Sequence, residues 1–273
     1  MSGEPGPLID THVHLWDPRR FEYPWLARFP ALRRTFGPLD LDTDGQVLSA
    51  AVLVEADCIG DQAAAEVEWI EEIASAWPLL AAVVAQVPLE RGAGVTTDLR
   101  RLSRSRLVRG VRRNTQDEPR GFAAEAGYVA GVRLLAEYGF TADLCVRHQQ
   151  LPDVIALVSQ VPEVTFVLDH LGKPDVRAGE WESWAEAIRR LAAASNVACK
   201  LSGLTTEADW ARWSPSDVLP YLRHALTEFG PERCMFGSDW PVATLATRYG
   251  GWVAAVRSAL ADRPAADGYL VWR

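Results

Sequence analysis

Two histidines at alternate positions, His12 and His14, stand near the start of the chain in Asp10-Thr11-His12-Val13-His14. Side chains of an extended strand alternate between faces, so Asp10, His12 and His14 are expected to share one. Two imidazoles so placed can ligate one metal ion, or donate together to one substrate carbonyl. Near the other end, Gly237-Ser238-Asp239-Trp240-Pro241 offers a carboxylate. Facing imidazoles, Asp239 would accept the proton of a hydrolytic water, or ligate an ion if one is bound. Between these poles, Asp169-His170-Leu171-Gly172-Lys173-Pro174 supplies His170, a third ligand or an acid/base.

Other polar residues need partners. Arg112, in Gly110-Val111-Arg112-Arg113-Asn114, either grips substrate oxygens or makes a structural ion pair, because a buried guanidinium requires an anion. Lys173 and Lys200 are the only lysines, and Asn114 and Asn196 the only asparagines. Such scarcity suggests a coding bias, so survivors mark places where arginine or another polar group would not serve. Asn114 and Lys173 are therefore candidate substrate ligands. Lys200 lies within an apolar run and reads as an interior ion-pair partner. Asp143 and Glu55 could pair with Lys200, Arg112 or a histidine. His148 reads as a solvated loop residue and His224 as a helix-surface residue.

The elements that must position these groups follow from periodicity. Short apolar runs rich in Val, Leu and Ala recur at 8–15, 50–56, 80–87, 107–114, 140–146, 164–170, 197–201 and 234–238. They read as parallel strands covered on both faces. Amphipathic segments lie between them, for example 61–76, 124–138, 152–160, 180–194, 216–229 and 247–261. Ser214-Pro215 signals a helix start, and Gly139 and Gly230 signal helix ends. Eight strands alternating with helices imply an α/β fold, a single-domain (β/α)8 barrel over residues 1–273. No glycine-rich phosphate loop follows the first strand, which disfavours an open doubly wound sheet. In such a barrel the catalytic groups sit at the C-terminal strand ends, where His14, Arg112, His170 and Asp239 fall. The aromatic, proline-rich stretch from Trp16 to about Gln46 is expected to wall the site.

Composition narrows the function. A chain 48% hydrophobic and 23% charged can build a core of this size. A net charge of −8 gives no reason to expect nucleic acid or an anionic membrane as partner. The four cysteines show no paired spacing, MSGEPGPLID does not read as a signal peptide, and no apolar run is long enough to cross a bilayer. A cytoplasmic enzyme acting on a small molecule is expected; oligomeric state is not legible.

His12-Val13-His14, His170-Leu171-Gly172-Lys173-Pro174 and Gly237-Ser238-Asp239-Trp240-Pro241, in this order, resemble the amidohydrolase superfamily and its "amidohydrolase 2" branch. HVHLWDP, YPWL, GVRRNTQDEP and KLSGL resemble the sugar-acid lactonases of that branch, of the fuconolactonase and rhamnonolactonase type. The resemblance spans Leu8 to about Leu260. It implies a distorted barrel that hydrolyses lactones or related esters. His12, His14 and Asp239 would form the metal or carbonyl pocket, with one zinc ion or none. His170 would polarise the carbonyl, Asp239 would be the general base and Arg112 would hold substrate oxygens. The loop carrying Trp16 and Trp25 would cover the sugar. The fourth and fifth strand ends offer Arg113-Asn114 and Asp143 in place of a bridging carboxylate or lysine and a further histidine. A two-metal site is therefore not expected. The terminal AADGYLVWR is shorter than the corresponding tail of the family, which predicts a weakened barrel closure. The alternatives are a zinc-dependent decarboxylase with a similar ligand set and a non-catalytic small-molecule binder.

Overall fold

A computed structural model describes residues 6–273. The opening residues 1–5, part of the stretch read for a signal peptide, lie outside the described residues. Among the described residues, eight parallel strands run in the order β1 to β8 as one sheet. They are β1 (Leu8–Val13), β2 (Leu48–Val54), β3 (Leu80–Gln86), β4 (Val108–Arg112), β5 (Thr141–Leu144), β6 (Phe166–Leu168), β7 (Val197–Leu201) and β8 (Cys234–Phe236). The barrel expectation holds.

Most strands end before the apolar run that predicts them. The ladders stop where the chain bends away, so His14, Asn114, His170 and Asp239 all lie just past the last ladder residue. Closure comes from a single bridge between Val13 and Trp240, with Asp239 N donating to His12 O at 2.8 Å and His14 N to Trp240 O at 2.7 Å. Asp10 reinforces this seam rather than facing the site. Its carboxylate accepts from Ser238 N at 2.8 Å, His12 N at 3.1 Å and the Tyr249 hydroxyl at 2.9 Å.

Helices α1 (Ala63–Ala74), α2 (Thr96–Leu102), α3 (Ala126–Tyr138), α4 (Leu151–Gln160), α5 (Glu182–Ala192) and α6 (Pro215–Glu228) join successive strands from β2 onward. Their apolar faces (Leu99, Leu135, Leu157, Ile188 and Leu222 among them) are buried against the sheet. Ser214 opens α6, donating from its N–H and its hydroxyl to the Asp217 carboxylate at 2.7 and 3.0 Å, and Gly139 closes α3 in the left-handed conformation. Helices α7 (Tyr249–Leu260) and α8 (Ala265–Trp272) follow β8; α2 and α8 were not anticipated. Trp272 of α8 is buried with its ring 4.8 Å from that of Phe236, which seals the outside of the β8–β1 seam.

Among the described residues, no α-helix joins β1 to β2. The connection instead contains three 3₁₀ turns, Pro24–Arg28, Pro30–Leu32 and Pro38–Asp40, each opened by a proline whose fixed φ suits that position. This is the distortion of the barrel, and it places the loop over the C-terminal strand ends. No described helix is long and apolar enough to cross a membrane.

Candidate active site

The tautomers of His12 and His14 follow from their outer partners. His14 Nδ1 lies 2.9 Å from the Val54 carbonyl, so it must donate. His12 Nδ1 lies 3.3 Å from Asp169 Oδ1, so it too is the protonated nitrogen of a neutral ring. Both Nε2 atoms are then bare acceptors, yet they face one another at 3.1 Å. Asp239 Oδ1 joins them, 3.4 Å from His14 Nε2 and 3.8 Å from His12 Nε2. The three ligating atoms converge on one point. Ligand atoms about 2.1 Å from a tetrahedral ion would stand roughly 3.4 Å apart, so the set fits one divalent metal. Anchored Nδ1 atoms are also what orient ligating imidazoles. Burial holds His12 well below its usual range, against the pull of Asp169.

A second cluster, His12, Asp169 and His170, is close enough to be considered as a ligand set. Its carboxylate is already committed. Asp169 takes Arg112 Nη1 at 3.1 Å and Lys200 Nζ at 3.1 Å, both buried. Two cations on one carboxylate leave it a poor metal ligand. They also hold Asp169 as an anion, well below the usual range despite burial.

Arg112 is thereby placed. Its Nε meets Glu55 Oε1, its Nη2 donates to Glu55 O at 2.8 Å and its Nη1 meets Asp169. Each of the three nitrogens has a partner, so Arg112 makes the ion pairs that a buried guanidinium requires, and it also borders the cavity. Lys200 pairs with Asp143 as well as Asp169, the interior role expected of it.

His170 sits in an unusual turn. His170, Leu171, Gly172 and Lys173 all have positive φ, 52°, 54°, 69° and 48°. Its Nδ1 lies 2.9 Å from the Ser202 hydroxyl. When that hydroxyl donates, Nε2 carries the proton. Burial keeps the ring well below its usual pKa, and so neutral. Asp239 (φ 58°) and Asp57 (φ 59°) are also left-handed. Four residues that line the cavity thus hold a conformation costing about 1–2 kcal/mol each, and such strain gathers at functional sites. Burial raises the Asp239 carboxyl, but His170, His14 and Lys173 outweigh it and hold it below the ordinary range.

The cavity has a volume of about 270 Å³. Trp25, Asn114 and Lys173 line it, Trp25 with its indole N–H held by Ala56 O at 2.8 Å. Trp16 does not. It is fully buried, donates to Arg34 O at 2.8 Å and packs 5.2 Å from the Trp25 ring. It is the core of the loop, and supports Trp25 from behind. His148 is buried and bonded to Glu180 at 2.9 Å, not solvated. His224 is half-buried between helices and faces Ala185 O at 3.0 Å. The sequence reading missed Asp57, Gln116, Glu207 and Trp210 in the wall and Asp169 beneath it. Asp57 follows Glu55 at the spacing of two, a usable signal; the others depend on loop geometry.

Ionisable groups gathered at the C-terminal ends of eight parallel strands define a barrel enzyme with a site of hydrolytic type. The family model described as Amidohydrolase matches residues 9–267, and the chain belongs to that family. It is 37% identical over 255 residues to an L-fucono-1,5-lactonase of Burkholderia multivorans, covering 88% of this chain and 84% of the relative. An L-fucono-1,5-lactonase of Burkholderia ambifaria is 32% identical, with 90% and 85% covered. The crystal structure of an amidohydrolase from Burkholderia multivorans with bound zinc superposes with a TM-score of 0.86 at 35% identity, covering 98% of this chain and 96% of that one. Solved decarboxylases at 14–16% identity share the fold alone.

Proposed function

We propose that this protein is a hydrolase that opens a sugar-acid lactone to its hydroxy acid, a step of carbohydrate metabolism. The observation that carries the reading is the convergence of Asp239 and His170 on a cavity otherwise walled by Asn114, Gln116, Lys173 and the Trp25 indole. Hydrogen-bonding side chains beside an aromatic face suit a ring with a polar rim and an apolar face. The similarity to two L-fucono-1,5-lactonases supports the same class of reaction.

His12, His14 and Asp239 would hold one zinc ion. Such an ion, when bound, polarises a carbonyl or lowers the pKa of a water. Asp239 accepts the proton of the attacking water as its oxygen bonds to the lactone carbon. His170, with Ser202 on its Nδ1, donates from Nε2 to the carbonyl oxygen and stabilises the developing charge. The ring carbon–oxygen bond then breaks, and the proton held by Asp239 passes to the leaving alkoxide. Lys173 and Asn114 orient the substrate.

A pH-indicator screen of sugar-acid lactones, run before and after chelation, tests this. Acid release that falls on chelation and returns with zinc is the expected outcome. Release of carbon dioxide, or no acid from any lactone, overturns the reading.

A further inference from the structure

Asp57 lies just past the end of β2, in the left-handed conformation. Its backbone N–H donates to Glu55 Oε2 at 2.6 Å. The other oxygen of Glu55 holds Arg112, so the turn is tied to the charge network under the site. The Asp57 carboxylate faces the cavity, and its Oδ2 accepts from Asn114 Nδ2 at 3.1 Å. Asn114 Oδ1 in turn lies 3.3 Å from the Gln116 N–H, which fixes which way the amide points.

The cations of the wall are matched already. Arg112 meets Glu55 and Asp169; Arg28 and Arg147 share Asp117 at 3.4 and 2.9 Å; Lys173 meets Gln116 and lies 3.9 Å from Glu207. Asp57 has no cation within salt-bridge distance among the described residues. Burial and the charge of Glu55 push its carboxyl up to about 6, against the pull of Arg112 and the Asn114 hydrogen bond. A carboxylate without a cation, beside an amide N–H, matches a hydroxyl donor next to a second oxygen.

Resting on the lactone reading, we propose that Asp57 and Asn114 form a specificity-determining clamp for two adjacent ring hydroxyls of an uncharged, polyhydroxylated lactone. Asp57 accepts from one hydroxyl, and Asn114 donates to the oxygen of its neighbour. A lactone bearing a carboxylate in that position is rejected by the charge of Asp57.

The test is a cycle of binding measurements by calorimetry, in the Asp239→Asn protein so that turnover is slow. A polyhydroxylated 1,5-lactone is compared with its singly deoxygenated analogues, with and without Asp57→Asn. Asparagine tolerates the left-handed conformation, and an unchanged melting temperature checks the fold. One analogue should bind about tenfold to hundredfold more weakly than the parent when Asp57 is present. In the Asp57→Asn protein that difference should collapse. If every analogue loses the same factor in both proteins, or if the parent lactone does not bind, the clamp is wrong. Should the cycle succeed while the native enzyme releases no acid, the clamp stands and the hydrolytic reading fails.

Discussion

A Cβ placed on Gly203 would fall 2.4 Å from His170 Nδ1. Gly203 also has φ 66°, so only glycine fits without strain. Gly203→Ala should push the imidazole from Ser202 and lower turnover on the order of 100-fold, the effect of a misplaced catalytic group. Stability should fall by only about 1–2 kcal/mol. Steady-state kinetics beside a denaturant titration separate the two effects; unchanged kcat would remove His170 from the chemistry.

The 3.1 Å approach of the His12 and His14 Nε2 atoms predicts metal uptake. Metal-free protein should bind one zinc ion per chain, and its melting temperature should rise with zinc concentration. His14→Ala should abolish the rise. Asp169→Asn should weaken zinc binding by about 10–100-fold, since the carboxylate orients His12. Titration by calorimetry with no heat in the native protein would refute the site.

Asp239→Asn should reduce kcat by on the order of 10²–10⁴, the usual contribution of a general base. Asparagine can keep the φ of 58° at this position. Turnover of a sugar-acid lactone at the native rate would reassign the base.

Asp169→Asn should also cost stability, about 3–5 kcal/mol, because it leaves Arg112 and Lys200 short of a buried counter-charge. Arg112→Lys should not be silent either, because an ammonium cannot reproduce the fork to Glu55 and Asp169. Chemical denaturation of both variants checks this; a loss below about 1 kcal/mol in each would mean the network is dispensable.

Glu66 gives a pH dependence away from the chemistry. It is buried, accepts from the Tyr23 hydroxyl at 2.9 Å, and ties the β1–β2 loop to α1. Burial, then the charge of Glu55, pushes its carboxyl up to about 8, from an ordinary value near 4.5. The folded chain keeps a proton that the unfolded chain releases between those pH values. Stability therefore falls as pH rises through that window and levels off above it. Glu66→Gln should melt higher than the native protein at about pH 9 and nearly the same at about pH 5, by thermal unfolding. An equal gap at both pH values would exclude the titration.

Much of the fold was legible because its signals are local. Apolar runs at near-regular spacing, Ser214-Pro215 and Gly139 mark elements without reference to distant chain. The strand ends were overextended because hydrophobicity continues into residues such as Val146 that are buried beyond the ladder. Helix α2 is short, and α8 is stabilised by Trp272 packing on Phe236, a contact that no local pattern announces.

The sequence by itself determined which groups stand at the strand ends: His12, His14, His170 and Asp239 are placed there by the alternation of strand and loop. Tertiary structure alone decided what each polar group is free to do. Glu55 and Asp169 reach Arg112 from the ends of other strands and brace it at the edge of the cavity. Trp16 and Trp25 share one loop, yet one is the loop's core and the other the cavity wall. The Val54 carbonyl sets the proton on His14, and Gly203 sets the space for His170. Periodicity is a property of neighbours along the chain, whereas hydrogen-bond partners and counter-charges come from residues tens to hundreds of positions away.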